Sequence, residues 1–247
     1  FSAGGEKGAN QAVAAKRSEA VTNFIGAIGN DESGEMMREL LSEEGIDLSG
    51  VQTLEKQATG QAYIIVDDQG ENSIMIHSGA NNAFTPQQVK EHAEVIKASD
   101  FVVAQFESTL ESTIEAFSIA REAGVKTILN PAPALEDVPE ELLRVTDMII
   151  PNETETEILT GIQVSDESSL KAAAEHLHQL GIEAVIITIG SKGAFYDVQG
   201  RSGIVPAFKV NAVDTTAAGD TFIGAMSSVL EKDFSNLEEA IKYGNKA

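Results

Sequence analysis

The chain has no cysteine and no tryptophan. Without cysteine there is no disulfide framework, no thiolate nucleophile and no Cys-ligated zinc site. Basic residues are scarce, with 17 Lys+Arg against 39 Asp+Glu and a formal charge of −22. Binding to a polyanion by counterion release needs clustered Lys and Arg, so the balance argues against a nucleic-acid or anionic-membrane surface, and any recognition of phosphate must be local. No run approaches the ~18 apolar residues of a membrane span, and the first residues show no basic-then-apolar pattern. The expectation is a soluble, cytoplasmic protein. The four histidines are scattered. The motifs G-x-x-x-x-G-K-[ST], H-E-x-x-H and G-x-S-x-G are missing and there is not one G-x-G, which removes the Walker loop, the dinucleotide fingerprint, the zincin helix and the hydrolase elbow.

What is present is a core-forming chain of 247 residues, 42% of them hydrophobic, within the range of one domain spanning 1–247. Short Val/Ile-rich runs alternate with segments of helical period: "TNFIGAIG" then 33–45, "DFVVAQ" then 109–123, "VKTILN" then 136–144, "DMIIPN" then 153–160 and 167–180, and "EAVIITIG" with a later helix at 219–231. Continuously apolar strands alternating with helices predict a doubly wound α/β fold, with a mostly parallel sheet covered on both faces. One segment breaks the rhythm. Residues 57–79 hold two strand-like runs around "DQGE" with no helix between them, which predicts an inserted β-hairpin acting as a lid or contact surface, or one that merely closes a sheet edge. A second hairpin is expected around "QGR", at 193–208.

In "VDTTAAGDTFIGAMSSVL" the apolar spacing from Phe222 onward makes a helix, with Ala217, Ala218 and Gly219 at its N-terminal turn. Free backbone N–H groups and the positive dipole end converge there, and the small side chains let an anion approach. Asp220 would stand in that first turn, beside a held phosphate and within reach of an attacking hydroxyl, or else act only as a helix cap. "DMII" runs into "PNETE", so Asn152 and Glu155 emerge at the carboxyl end of a strand, the ligand edge of an open sheet. An amide and a carboxylate three apart can hold a hydrated magnesium ion, or simply complement a helix dipole. The break Thr188-Ile189-Gly190-Ser191-Lys192-Gly193 offers hydroxyls, a lysine and two glycines to nucleotide phosphates, and a tight strand-to-strand turn would use similar residues. "GGEKGANQAVAAKR" reads as a glycine loop feeding a helix near Ala9, with Lys7, Gly8 and Asn10 at its mouth, while "AQFES" puts Glu107 just past a strand and "NPAPA" ends the next one.

Taken in order, "GGEKGANQAVAA", "TGQAYIIVD", "QFE", "NPAPA", "PNETE", "TIGSKG" and "AVDTTAAGDTF" resemble the ribokinase-type (PfkB) carbohydrate kinases over nearly the whole chain, and within that family the branch that acts on ribose. The resemblance implies an ATP-dependent transfer of the γ-phosphoryl group to the primary (5-) hydroxyl of D-ribose. It implies Asp220 as the base and the amides of Ala217, Ala218 and Gly219 as the anion hole. Lys7, Gly8, Asn10, Glu107 and Asp220 then match sugar-binding positions. Asn152, Thr188 to Gly193, Gly219 and Asn245 match the nucleotide side. Asn152 and Glu155 match an element associated with Mg2+, through water, and Asp214 with Thr216 matches a monovalent-cation site that takes K+. A homodimer through the β flap is implied as well. Against this pattern Glu6 stands where the family has Gly, and the chain reads as shortened at both ends, lacking a first strand, a sugar-binding Asp and a nucleotide-side loop. Two other readings stay open: a kinase for another small sugar or nucleoside, and a catalytically silent sugar- or nucleotide-binding fragment.

Overall fold

The computed structural model describes residues 7–66, 72–209 and 217–247. Ten strands are described: β1 (Asn23–Gly29), β2 (Asp47–Leu54), β3 (Gln61–Val66), β4 (Asn72–His77), β5 (Phe101–Ala104), β6 (Lys126–Leu129), β7 (Met148–Ile149), β8 (Ala184–Thr188), β9 (Ala194–Val198) and β10 (Arg201–Val205). The helices are α1 (Lys7–Arg17), α2 (Glu32–Glu43), α3 (Pro86–Lys90), α4 (Ala93–Lys97), α5 (Leu110–Glu122), α6 (Glu140–Arg144), α7 (Glu153–Thr160), α8 (Glu167–Gln179), α9 (Ala218–Val229) and α10 (Leu237–Gly244). None is long and apolar enough to cross a membrane.

The main sheet has the order β10-β9-β8-β7-β6-β5. Strands β5 to β8 pair in parallel and β9 and β10 close the edge antiparallel. Its strands are apolar on both faces because helices cover both. Ile128, Ala184 and Ile186 turn toward α9 and α10, where they meet Phe222, Met226 and Ile241. Their neighbours Leu129, Val185 and Ile187 turn the other way, toward Phe117, Leu170 and Leu177 of α5 and α8. This alternation is the period of two expected of a strand. Truncating the fully buried Phe117 or Phe195 to Ala would cost about 3–5 kcal/mol.

Two expectations need correction. Among the described residues the first strand does not join the main sheet: β1 pairs in parallel with β2 as a separate two-stranded unit. "DLSGVQTL" escaped notice as a strand because it has no apolar run. The helix expected at 136–144 starts only at Glu140, with Pro139 at its N-cap, since proline has no N–H to give to an earlier turn. The insertion is the antiparallel hairpin β3–β4, standing apart from both other sheets.

The base of this hairpin is fastened by polar groups. Thr59 N–H donates to Asp31 (2.8 Å), the Thr59 hydroxyl bonds the same carboxylate, and Gly29 N–H donates to the Thr59 hydroxyl oxygen (2.9 Å). Asp31 also caps α2 by accepting from Gly34 N–H (2.8 Å). On the far side Ala80 N–H donates to Ala58 O (2.8 Å). Gly79 is required there: its φ is +49° and a Cβ would strike the Ala58 carbonyl.

Candidate active site

Strands β6, β7 and β8 deliver their carboxyl ends to one side of the main sheet, where α9 begins. A cleft of about 220 Å³ lies there, lined by Lys7, Asn130, Asn152, Glu155, Thr188 and the first turn of α9 from Ala217 to Asp220. Ala217 takes the left-handed conformation (φ 59°, ψ 11°), no side chain caps the helix, and Ala218 and Gly219 are exposed. Among the described residues nothing accepts from the N–H groups of Ala218, Gly219 or Asp220. Four such donors are left over at any helix start, and they carry the positive end of the dipole. This mouth is open.

Asp220, 6% exposed, lines the cleft from within that turn. Its Oδ1 accepts from Gln11 Nε2 (3.0 Å) and its Oδ2 from Asn10 Nδ2 (3.4 Å). Both donors come from α1, which packs against α9. The carboxylate therefore does not cap its own helix.

The mouth of α7 is built differently. Asn152 Oδ1 accepts from Glu155 N–H (2.8 Å) while Glu155 accepts from Asn152 N–H (2.9 Å) and Nδ2 (3.1 Å), a reciprocal capping box. The helix-end role weighed against a magnesium role is thus present, and the two are compatible. Each carboxylate oxygen of Glu155 has accepted one bond and has lone-pair capacity left. Burial pushes the Glu155 carboxyl up, the Asn152 N–H and the Lys7 charge oppose that, and the Asp220 charge adds to it. One buried carboxylate beside an exposed amide is a donor set that fits magnesium held through its own waters.

The other expected residues fall around this centre. Lys7 begins α1 and its N–H donates to Glu107 Oε2 (2.6 Å). Gly8 and Glu107 line a larger cavity of about 1070 Å³ between the edges of β1 and β5, with Gln11 on its wall. Polar and charged side chains converge on the smaller cleft, whereas the larger one is walled mainly by apolar residues such as Phe24, Ile25, Val102 and Val103. Of the segment Thr188 to Gly193 only Thr188 lines the cleft. Ile189 is buried, Gly190, Ser191 and Lys192 form an exposed turn, and Gly193 (φ +108°) leaves no room for a Cβ under the Val205 carbonyl. Asn245 caps α10 and donates through Nδ2 to Val205 O and Pro206 O (both 3.2 Å), so Asn245 and Gly193 both approach the Val205 carbonyl at the end of β10, outside the cleft. Asp214, Thr216 and Glu6 lie outside the described residues. Gln11 and Asn130 were not anticipated; the sequence marks them only as a helix residue and a strand end.

The profile of the pfkB family of carbohydrate kinases matches residues 1–247. The chain belongs to that family. Among its pfkB relatives, the bifunctional ribokinase/ribose-5-phosphate isomerase A of Fructilactobacillus sanfranciscensis is 50% identical over 99% of this chain and 45% of that protein, so the chain spans less than half of that relative. The ribokinase of Staphylococcus aureus is 47% identical over 99% of this chain and 80% of its own. The Arabidopsis thaliana ribokinase, solved with ribose and ATP, superposes with a TM-score of 0.93 at 31% identity, covering 98% of this chain and 79% of that one. The ribokinase-like α/β architecture with its small antiparallel flap is thereby shared with solved pfkB kinases.

Proposed function

We propose that this chain is an ATP-dependent ribokinase that transfers the γ-phosphoryl group of ATP to the 5-hydroxyl of D-ribose. One observation carries the reading: the carboxylate of Asp220 and the open amides of Ala218 and Gly219 face a single cleft, one set to receive a proton and the other an anion. The ribose and ATP named for the Arabidopsis relative supply the substrate class.

In the reaction the sugar hydroxyl oxygen bonds to the γ-phosphorus, the bond from that phosphorus to the bridging oxygen of ADP breaks, and the hydroxyl proton passes to Asp220. Such transfers run through a loose transition state that needs alignment and charge stabilisation more than a strong base. Asp220 supplies the alignment and the amide mouth the stabilisation. Magnesium, arriving with the nucleotide, supplies neutralisation of charge on the phosphate oxygens. Asn152 and Glu155 would hold its waters. Lys7, Gly8, Asn10 and Glu107 are assigned to the sugar. Thr188 to Gly193 and Asn245 are assigned to the nucleotide, in keeping with the approach of Gly193 and Asn245 to the same Val205 carbonyl. Asp214 and Thr216 are assigned to potassium on the sequence pattern. The exposed Met75 and Ile76 on β4 support a second copy pairing through the flap, residues 57–79 serving also as the substrate lid. ATP as co-substrate supports a cytoplasmic site of action.

The direct test is ATP-dependent phosphorylation of D-ribose, run beside a panel of other pentoses, fructose and nucleosides. Turnover with ribose favoured supports the reading. Preference for another sugar or nucleoside would reassign the substrate, and calorimetric sugar binding without turnover would leave a silent binding fragment. Substituting sodium for potassium tests the cation, and sedimentation at several concentrations tests the dimer.

A further inference from the structure

We propose that Gln11 is the positioning residue for Asp220, fixing which carboxylate oxygen faces the substrate. The inference rests on the kinase reading above and deepens it. Gln11 lies on α1 and is 4% exposed. Its Nε2 donates to Asp220 Oδ1 (3.0 Å) and to Asn130 Oδ1 (3.1 Å), and its Oε1 accepts from Gln105 Nε2 (2.6 Å). Asn130 in turn donates through Nδ2 to Ile150 O (3.0 Å).

The direction of every bond in this chain is dictated. With Asn130 Nδ2 committed to a backbone carbonyl, its Oδ1 must face Gln11. A flipped Gln11 would then set its own oxygen against both that atom and the Asp220 carboxylate. Both N–H hydrogens of Gln11 are therefore spent on acceptors and its oxygen on a donor, which locks the side-chain amide in place. Gln105, Asn130 and Ile150 directly follow β5, β6 and β7, so the amide chain ties Asp220 to the carboxyl ends of three adjacent strands. Support from rigid elements of this kind is what holds a reacting group within the tolerance that catalysis demands.

The two oxygens of Asp220 consequently differ. Oδ1 is held by Gln11, whereas among the described residues Oδ2 has only the long contact from Asn10 (3.4 Å). Oδ2 is the oxygen that takes the hydroxyl proton. Gln11 does not line the cleft that Asp220 faces and acts through that carboxylate.

The experiment is a double-mutant cycle on the full chain, with steady-state kinetics on ribose and ATP. Gln11→Met keeps length and removes the donor. It should lower kcat about tenfold to a hundredfold, the range expected when a reacting group drifts by up to about 1 Å, with KM for ribose moving less than about threefold. In an Asp220→Asn background, followed by single-turnover phosphoryl transfer, the same substitution should change the rate by less than about twofold, because its route of action is gone. An equal fractional loss in both backgrounds, or a loss confined to KM, would overturn the proposal. Should Gln11→Met fail to fold, Gln11→Glu is read instead. It keeps the shape and the acceptor for Gln105 but sets an oxygen against Asp220, so an unchanged kcat in that variant also overturns the proposal. Absence of ribose turnover in the unsubstituted chain would indict the kinase reading rather than the role of Gln11.

Discussion

The N-termini of α7 and α9 open on the same cleft and are finished in opposite ways. At α7, Asn152 and Glu155 satisfy each other and the first backbone amides in a closed capping box. At α9, Ala217 is left-handed, no side chain among the described residues caps the turn, and the carboxylate of that turn, Asp220, is bonded instead by Asn10 and Gln11. A missing cap costs about 1 kcal/mol of stability, within a range of about 0.5–2. The difference between the two mouths teaches that α9 forgoes this stabilisation and leaves its first amides facing the cleft. The mouth of α2 follows α7, with Asp31 bonded to Gly34.

The strongest way to break the contrast is Asp220→Asn, which keeps size and hydrogen-bonding reach. Ribose kinase turnover should fall at least ~100-fold, the low end of general-base effects, with the melting temperature little changed. A rate near that of the unsubstituted chain would reject Asp220 as the base. Closing the α9 mouth comes next. A Cβ at Gly219 meets nothing within 4 Å, so Gly219→Asp fits, and a carboxylate at that position favours the helix. We expect thermal stability held or raised, and kcat/KM for ATP lowered about tenfold or more by repulsion of the phosphate. Gly219→Ala adds bulk without charge and should lower kcat/KM for ATP less than Gly219→Asp does, which isolates the repulsion.

At the other mouth, Glu155→Gln preserves the capping box, since Gln serves that position as well as Glu does. Stability should hold within about 0.5 kcal/mol while the magnesium concentration giving half-maximal rate rises about tenfold, the lower range for second-layer metal ligands. An unaltered magnesium response would confine Glu155 to its helix. The smallest effect concerns α2. The Thr59 hydroxyl, then the Thr59 N–H, and more weakly the Gly34 N–H, hold the Asp31 carboxyl below its ordinary value. A depressed carboxyl stabilises the fold above its unfolded value, and that contribution is lost as the pH falls through the folded one. Thr59→Val should move acid unfolding, followed by circular dichroism, to higher pH, and an unmoved midpoint would deny the network its role.

The α9 mouth was legible because everything that makes it sits within a few consecutive residues: small side chains from Ala217 to Gly219, an acid at 220, and apolar spacing from Phe222. The strands of the main sheet were legible for a similar reason, each being a compact apolar run. Gln11 was not, because its meaning lies in partners 94, 119 and 209 positions away, and nothing local separates it from its helical neighbours. Strand β2 escaped because a strand half exposed and rich in Asp, Ser and Gln carries no periodic apolar signal. The role of Glu155 was half legible: the spacing from Asn152 announces a shared direction, and only coordinates show the two side chains spending bonds on each other.

Gly224 sits halfway along α9, where a Cβ would collide with the Gln11 carbonyl and with Ala14. At this crossing the two backbones lie in contact with no side chain to shear between them, and close-packed surfaces of that kind do not slide by small degrees. The two helices are thus locked together at this crossing, so Asn10 and Gln11 on one keep a fixed register against Asp220 on the other.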